Sequence, residues 1–172
     1  MRDWPYLDIG ALYCPATIQS VRVVIQRVSR AGVTVDGAEV AKIGRGLLLL
    51  VGIEAGDAQS DVELAAAKVA SMRIFPDAEG KMNLSVEEIY GEILVVSQFT
   101  LLGEVARGRR PSFSAAASPA EAEPLVGVFA TRLGETGLRT VSGSFGTHMM
   151  VDLVNDGPVT LLLEVTQGRV VS

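Results

Sequence analysis

The chain has one cysteine, Cys14, and one histidine, His148, among its 172 residues. A lone cysteine excludes an internal disulfide framework, and one Cys with one His cannot assemble a structural zinc site. No apolar run exceeds Leu47–Val51, far short of the ~20 residues that a membrane-spanning helix needs. There is no GxxxxGK[ST] loop and no GxGxxG after a strand, so nucleotide binding by those routes has no support. No G-x-S-x-G elbow occurs. Charge is sparse at 20% against 48% hydrophobic residues, which excludes a disordered chain and leaves enough apolar material for one domain with a real core. The net charge of −5 argues against a general nucleic-acid binder but leaves room for a local basic patch.

Residues 1–20 differ from the rest. They hold Trp4, two prolines and Cys14 with no hydrophobic period, and Asp3 and Asp8 interrupt any apolar core, which argues against a secretory signal. They read as an N-terminal extension to a single domain over 21–166. Residues 167–172 read as a short frayed tail.

Val21–Val28 is β-branched and apolar, a strand. Gly32–Val35 and Glu39–Ile43 flank Asp36-Gly37, a hairpin dipeptide. Gly46–Ile53 is a buried strand by its continuous apolar run. Ser60 with Glu63 resembles a capping box and predicts a helix to about Met72, with Val62, Ala65, Ala66 and Val69 on one face. Phe75–Asn83 reads as a turn region, and Glu92–Ser97 as a strand. Ser118-Pro119-Ala120-Glu121 opens a second helix with proline at its first position, running to about Glu135 before Gly137. Strands follow at Leu138–Ser142, His148–Val154 and Val159–Val165. The expectation is an α/β domain of mainly antiparallel sheets with two packed helices.

Two segments concentrate polar groups. Ser97-Gln98-Phe99-Thr100-Leu101 ends an apolar strand, where buried polar side chains need partners. It reads either as a strand terminus that satisfies its own backbone or as a site. Asn155-Asp156-Gly157-Pro158-Val159-Thr160 reads as a hairpin turn, since these residues suit turns, or as a rigid loop, since Gly-Pro can adopt a cis bond. His148, on a strand face with Met150 and Asp152 by the two-residue period, is structural or solvent-facing, or else a general base. Arg107, Arg109 and Arg110 are either a solvated loop or a phosphate patch.

These segments resemble the SQFTL and NxGPVT signatures of the D-aminoacyl-tRNA deacylase family, of the D-Tyr-tRNA deacylase type. The similarity runs from about Val21 to Val165 through VVIQRVSRAGVTVDG, GKMNLSV, GEILVVSQFTLLGEVARGRRPSFSAAA and SFGTHMMVDLVNDGPVTLLLEV. Val21 stands where such chains begin with methionine, which implies an upstream start in this one.

The resemblance implies a D-Tyr-tRNA deacylase-like fold and a cytoplasmic, cofactor-free, metal-free homodimer with active sites at the subunit interface. It implies hydrolysis of the ester of D-aminoacyl-tRNA as a chiral proofreading step. Ser97, Gln98, Phe99 and Thr100 would line the pocket around the terminal adenosine and the ester. Gly157-Pro158 would enter from the other subunit as a cis-peptide chirality filter, flanked by Asn155 and Thr160 and braced by Arg27. Side-chain pockets read size and polarity, so a filter that accepts many D residues must act on the backbone of the substrate. Glycine offers no side chain to exclude, and glycyl-tRNA is expected to be cleaved too. For the chemistry, Thr100 is a candidate nucleophile with Gln98 helping an oxyanion site, but a threonine hydroxyl needs an activating base that the neighbouring sequence does not supply. Attack by water aided by the ribose 2′-hydroxyl is preferred, with the Phe99 and Thr100 amides stabilising the oxyanion.

Overall fold

A computed structural model describes residues 20–106 and 108–172. The extension over 1–19 and Arg107 lie outside the described residues.

The chain runs β1 (Val21–Val35), β2 (Ala38–Ile43), β3 (Gly46–Gly52), α1 (Gln59–Ser71), β4 (Phe75–Pro76), β5 (Met82–Leu84), β6 (Glu92–Ser97), α2 (Pro119–Gly134), β7 (Thr140–Ser142), β8 (Met150–Thr166) and β9 (Arg169–Val170), with a 3-10 turn over Phe99–Leu102. Seven strands form one sheet in the order β7-β6-β3-β1-β8-β9, with β2 also on β1. β1 is antiparallel to β2, β3 and β8. The β3–β6 and β6–β7 pairs are parallel. The sheet is therefore mixed rather than mainly antiparallel. The cause is the two helices: α1 lies between β3 and β6 in the chain, and α2 between β6 and β7, and each carries a crossover that only a parallel pair requires.

Alternation decides which side chains go inside. Val21, Val23 and Ile25 join Leu47, Leu49, Val51, Ile93 and Val95 on the helix-covered face, under Val62, Ala65, Ala66 and Val69 of α1 and Val126, Phe129 and Leu133 of α2. A register shift between Val28 and Arg30 lets Ala31 and Val33 join Val28, so that they bury with Ala41, Ile43, Leu48, Leu94 and Val96 in a second core on the other face. The long strands curl to enclose it.

Several local expectations are corrected. The predicted strands at Val21–Val28 and Gly32–Val35 are one strand. Asp36 (φ 50°) and Gly37 (φ 82°) do make the expected tight turn into β2. Helix α1 starts before Ser60. Its N-cap is Ala58, whose carbonyl accepts from the Asp61 and Val62 N–H groups at 3.0 and 3.4 Å. The Glu63 carboxylate is engaged by Gln59 and Arg132 instead of closing a box. The Ser118–Glu121 box at α2 is present, with the Ser118 N–H donating to the Glu121 carboxylate at 3.0 Å. Phe75–Asn83 includes parts of a two-stranded ribbon, β4–β5. The tail is not frayed: Arg169 and Val170 pair with β8. No helix among the described residues is long and apolar enough to cross a membrane.

Candidate active site

The Ser97–Leu101 segment is seated by close approach. β6 delivers Ser97 beside Val51, the Gln98 N–H donates to the Val51 carbonyl at 2.7 Å, and the chain then turns through Phe99–Leu102. Gly52 permits this, because a Cβ there would lie 2.6 Å from Leu102 Cδ2 and 3.1 Å from the Gln98 carbonyl. The Arg22 guanidinium closes the turn from β1 by donating to the Leu101 carbonyl at 2.9 Å. At the head of the turn, the N–H groups of Phe99 and Thr100 have no acceptor among the described residues, as expected for the first donors of a helical turn.

Beside the turn lies a pocket of about 480 Å³ lined by Ser97, Gln98 and Phe99 together with Val51, Ile53, Phe113, Ala116, Ala117, Ser118, Pro119, Ala122, Val126, Phe145 and Gly146. Its outer wall is held by strand-like bonds, the Ala117 N–H to the Ile53 carbonyl and the Ala55 N–H to the Ala115 carbonyl, each 2.9 Å. Phe113 meets Phe99 edge to face at 5.1 Å. Thr100 does not line the pocket. Its hydroxyl accepts from the Gln98 side-chain amide, which is not a base.

The second segment is not a hairpin turn. β8 runs unbroken from Met150 to Thr166, merging the two predicted strands. Gln26 faces Thr160 and Val28 faces Asn155, so Asp156–Val159 bulge out opposite the single residue Arg27. Asn155 ties the bulge shut: its Oδ1 accepts from the Val159 N–H at 2.8 Å and its Nδ2 donates to the Val159 carbonyl at 3.0 Å. Gln26 Oε1 accepts from Asn155 and from Thr160, the latter at 2.7 Å. Arg27, buried at 7% exposure, donates from Nε to the Asp156 carbonyl at 2.8 Å and from Nη1 to the Ile74 carbonyl, with Phe75 under its guanidinium at 5.9 Å. The Gly157-Pro158 bond is cis, and both residues are exposed.

Within one chain these two segments do not meet. Ser97 lies in the row Val51–Val23–Leu163, and Arg27 in the row Leu47–Ile93. Four residues along the strand and three strand spacings across it separate them by roughly 20 Å. Nearby on β8, Met150, Val151, Leu153 and Val154 are exposed, and this half of the strand pairs only with β1 among the described residues.

His148 is exposed and precedes β8 rather than lying on it. Arg109 and Arg110 are exposed, with no ion pair among the described residues. Under the pocket wall, Glu54 and Asp61 are buried. Between them, burial pushes Asp57 up to about 6, against the bond it accepts from the Glu54 N–H, while the charges of Glu54 and Asp61 add to the rise. The sequence reading missed Arg22, Gln26 and the Phe113–Phe145 walls. A lone Gln in an apolar strand was the only signal for Gln26.

The profile described as D-Tyr-tRNA(Tyr) deacylase matches residues 24–164. The chain belongs to the D-Tyr-tRNA(Tyr) deacylase family. Among similar members, the D-aminoacyl-tRNA deacylase of Roseiflexus castenholzii is 56% identical over 144 residues, covering 84% of this chain and 92% of that protein. The one of Heliobacterium modesticaldum is 52% identical over 149 residues, covering 87% and 99%. A solved structure of a c-Myc DNA unwinding element binding protein superposes with a TM-score of 0.77 at 41% identity, covering 83% of this chain and 97% of that one. A probable eukaryotic D-amino acid tRNA deacylase superposes at 0.74 with 20% identity, covering 84% and 99%, which speaks to the fold alone. The two motif segments thus fall on built features: a pocket beside a turn whose first two amides have no acceptor among the described residues, and a braced bulge.

Proposed function

We propose that this chain hydrolyses the ester of D-aminoacyl-tRNA, releasing a free D-amino acid and tRNA, as a homodimer with its sites at the subunit interface. The observation that carries the reading is the pairing of a largely apolar pocket with two backbone N–H groups that no acceptor among the described residues uses. A 480 Å³ pocket falls within the range of small-molecule sites, about 300–1,000 Å³, and suits a terminal adenosine. The Phe99 and Thr100 amides then face the ester, where an oxyanion forms. One such donor contributes about 3–4 kcal/mol in known cases.

Water attacks the carbonyl carbon, the oxyanion collapses, and the bond to the ribose 3′-oxygen breaks with a proton returned to that oxygen. The 2′-hydroxyl of the same ribose assists. Thr100 is not the nucleophile, because its partner, the Gln98 amide, cannot take its proton. The chirality filter comes from Gly157 and Pro158 of the partner subunit, whose carbonyls hold the substrate ammonium while the loop blocks the direction of an L side chain. The wide separation of the two segments within one chain supports this assignment. The exposed apolar half of β8 offers the surface for the second copy. Arg109 and Arg110 contact phosphate without reading sequence.

The test is ester loss from matched D- and L-aminoacyl-tRNA with purified protein. Fast D cleavage with L spared is expected, and equal rates would overturn the reading. Glycyl-tRNA is cleaved on the same argument, and its survival on prolonged exposure would remove the filter as described. A second reading, a non-catalytic nucleic-acid-binding module, is favoured by the name of one structural neighbour. It predicts binding without ester loss in the same assay.

A further inference from the structure

A second cavity, of about 170 Å³, opens beside the main pocket and shares Ser97, Val126 and Phe145 with it. Its remaining wall includes Glu123, on the exposed side of α2, and Ser142, at the end of β7. Neither the Glu123 carboxylate nor the Ser142 hydroxyl has a partner among the described residues, and Phe145 adds an aromatic surface between the two cavities. A carboxylate acceptor, a hydroxyl that both donates and accepts, and an aromatic surface form a recognition set for a base that presents an exocyclic amino group beside a ring nitrogen.

We propose that this cavity is a subsite for the nucleotide preceding the terminal adenosine, and that it selects cytosine. The inference rests on the adenosine occupying the main pocket. Every tRNA ends in cytidine-cytidine-adenosine, so the base next to the adenosine is invariant. Cytosine N4–H2 donates to a Glu or Asp carboxylate, and Ser can serve either polarity, which places the Ser142 hydroxyl at N3. Uracil puts a carbonyl oxygen where N4 stands and sets it against the Glu123 charge. Stacking on an aromatic ring tolerates any base, so Phe145 supplies hold and Glu123 supplies choice. Such a contact suits an enzyme that serves many tRNAs, because it reads only what all of them share.

The experiment compares three esters of one D-amino acid: D-aminoacyl-adenosine, the cytidylyl-adenosine dinucleotide ester and the uridylyl-adenosine one. With the full chain, kcat/KM is expected to rise roughly tenfold from the nucleoside to the cytidine dinucleotide, mostly through KM, and to rise much less with uridine. Glu123→Gln, at an exposed side chain with no hydrogen bond or ion pair among the described residues, is expected to fold normally and to leave the nucleoside ester unchanged. It should shrink the cytidine gain and improve the uridine ester until the two dinucleotides no longer differ, because the glutamine amide accepts from cytosine N4 and donates to the uracil oxygen alike. Equal kcat/KM for all three esters overturns the subsite and leaves the deacylase reading standing. So does an equal loss on all three with Glu123→Gln, which would place the carboxylate on the substrate ammonium. Failure of the wild-type chain to cleave any of the three overturns the deacylase reading, and the subsite with it.

Discussion

Arg27 Nε donates to the main-chain carbonyl of Asp156 at 2.8 Å, across 129 residues of chain. The same guanidinium holds the Ile74 carbonyl and lies over Phe75. One planar fork therefore sets the bulge, the ribbon and the first strand against each other. A lysine cannot reproduce that, since it offers a point charge in place of a fork. Arg27→Lys is expected to lose at least about tenfold in kcat/KM and roughly 1–3 kcal/mol of stability through an unsatisfied buried acceptor. Denaturant unfolding and ester hydrolysis read the two effects separately, and full activity with the Lys variant would show that the bulge needs no brace.

Arg22 plays a comparable part at the other segment. Its Nη1 holds the Leu101 carbonyl, while its Nε pairs with Glu164 at 3.1 Å. The pair is about one-third exposed on each side, so its loss should change stability by no more than about 1 kcal/mol. Arg22→Met is expected to lower kcat several-fold by loosening the turn that presents the Phe99 and Thr100 amides, with KM little changed. A variant with wild-type kcat would uncouple the turn from Arg22.

Thr100→Ala removes a hydroxyl whose partner among the described residues, the Gln98 side-chain amide, is not a base. Turnover is expected to stay within about tenfold of wild type, since only a nucleophile's loss removes many decades of rate. Abolished turnover in single-turnover kinetics would restore Thr100 as the nucleophile.

How far the sequence could be read differs by range of contact. The Asp36-Gly37 hairpin, the α1 face at Val62, Ala65, Ala66 and Val69, and the Ser118–Glu121 cap were legible because their causes lie within a few residues. β8 was split in two because Asn, Asp, Gly and Pro are turn formers in isolation. Only Arg27 and Gln26, about 130 residues away, show that a strand absorbs them as a bulge. The same limit hid the pocket walls: Phe113 and Phe145 reach Val51 and Ser97 only through the crossovers that α1 and α2 make. Spacing alone left both motif segments open between structure and site, and it was the motif resemblance that pointed to them.

In the proposed homodimer, where each site takes its pocket from one copy and its bulge from the other, two inactive variants should repair each other. Ala116→Trp fills the pocket. Gly157→Ala places a Cβ 2.6 Å from the Val159 N–H nitrogen and distorts the bulge. Each is expected to be inactive alone. Co-expressed, they form mixed dimers in which one site combines an intact pocket with an intact bulge from the other copy. Random pairing then restores about a quarter of wild-type sites, as the symmetry of a two-fold dimer dictates. No recovery, with mixed dimers verified by differential tagging, would place each site within a single chain.

Asp57 couples the stability of the protein to pH. Its Oδ2 accepts from the Glu54 N–H at 2.8 Å, but its Oδ1 is buried without a hydrogen-bond partner among the described residues. Burial lifts its pKa from 3.8 to about 6. The folded state thus binds a proton that the unfolded state releases, so stability falls as pH rises from about 4 to about 6 and stays lower above that. Asp57→Asn keeps an acceptor for the Glu54 N–H and removes the charge. After allowance for the solvent that reaches this half-buried group, the variant should be more stable than wild type by about 1 kcal/mol at pH 7.5. That corresponds to about 2–4 °C in Tm. The advantage should vanish near pH 3.5, where both carry a neutral group. Thermal melts across pH 3.5–8 test it, and a variant less stable than wild type at pH 7.5 would mean that ionised Asp57 is held favourably.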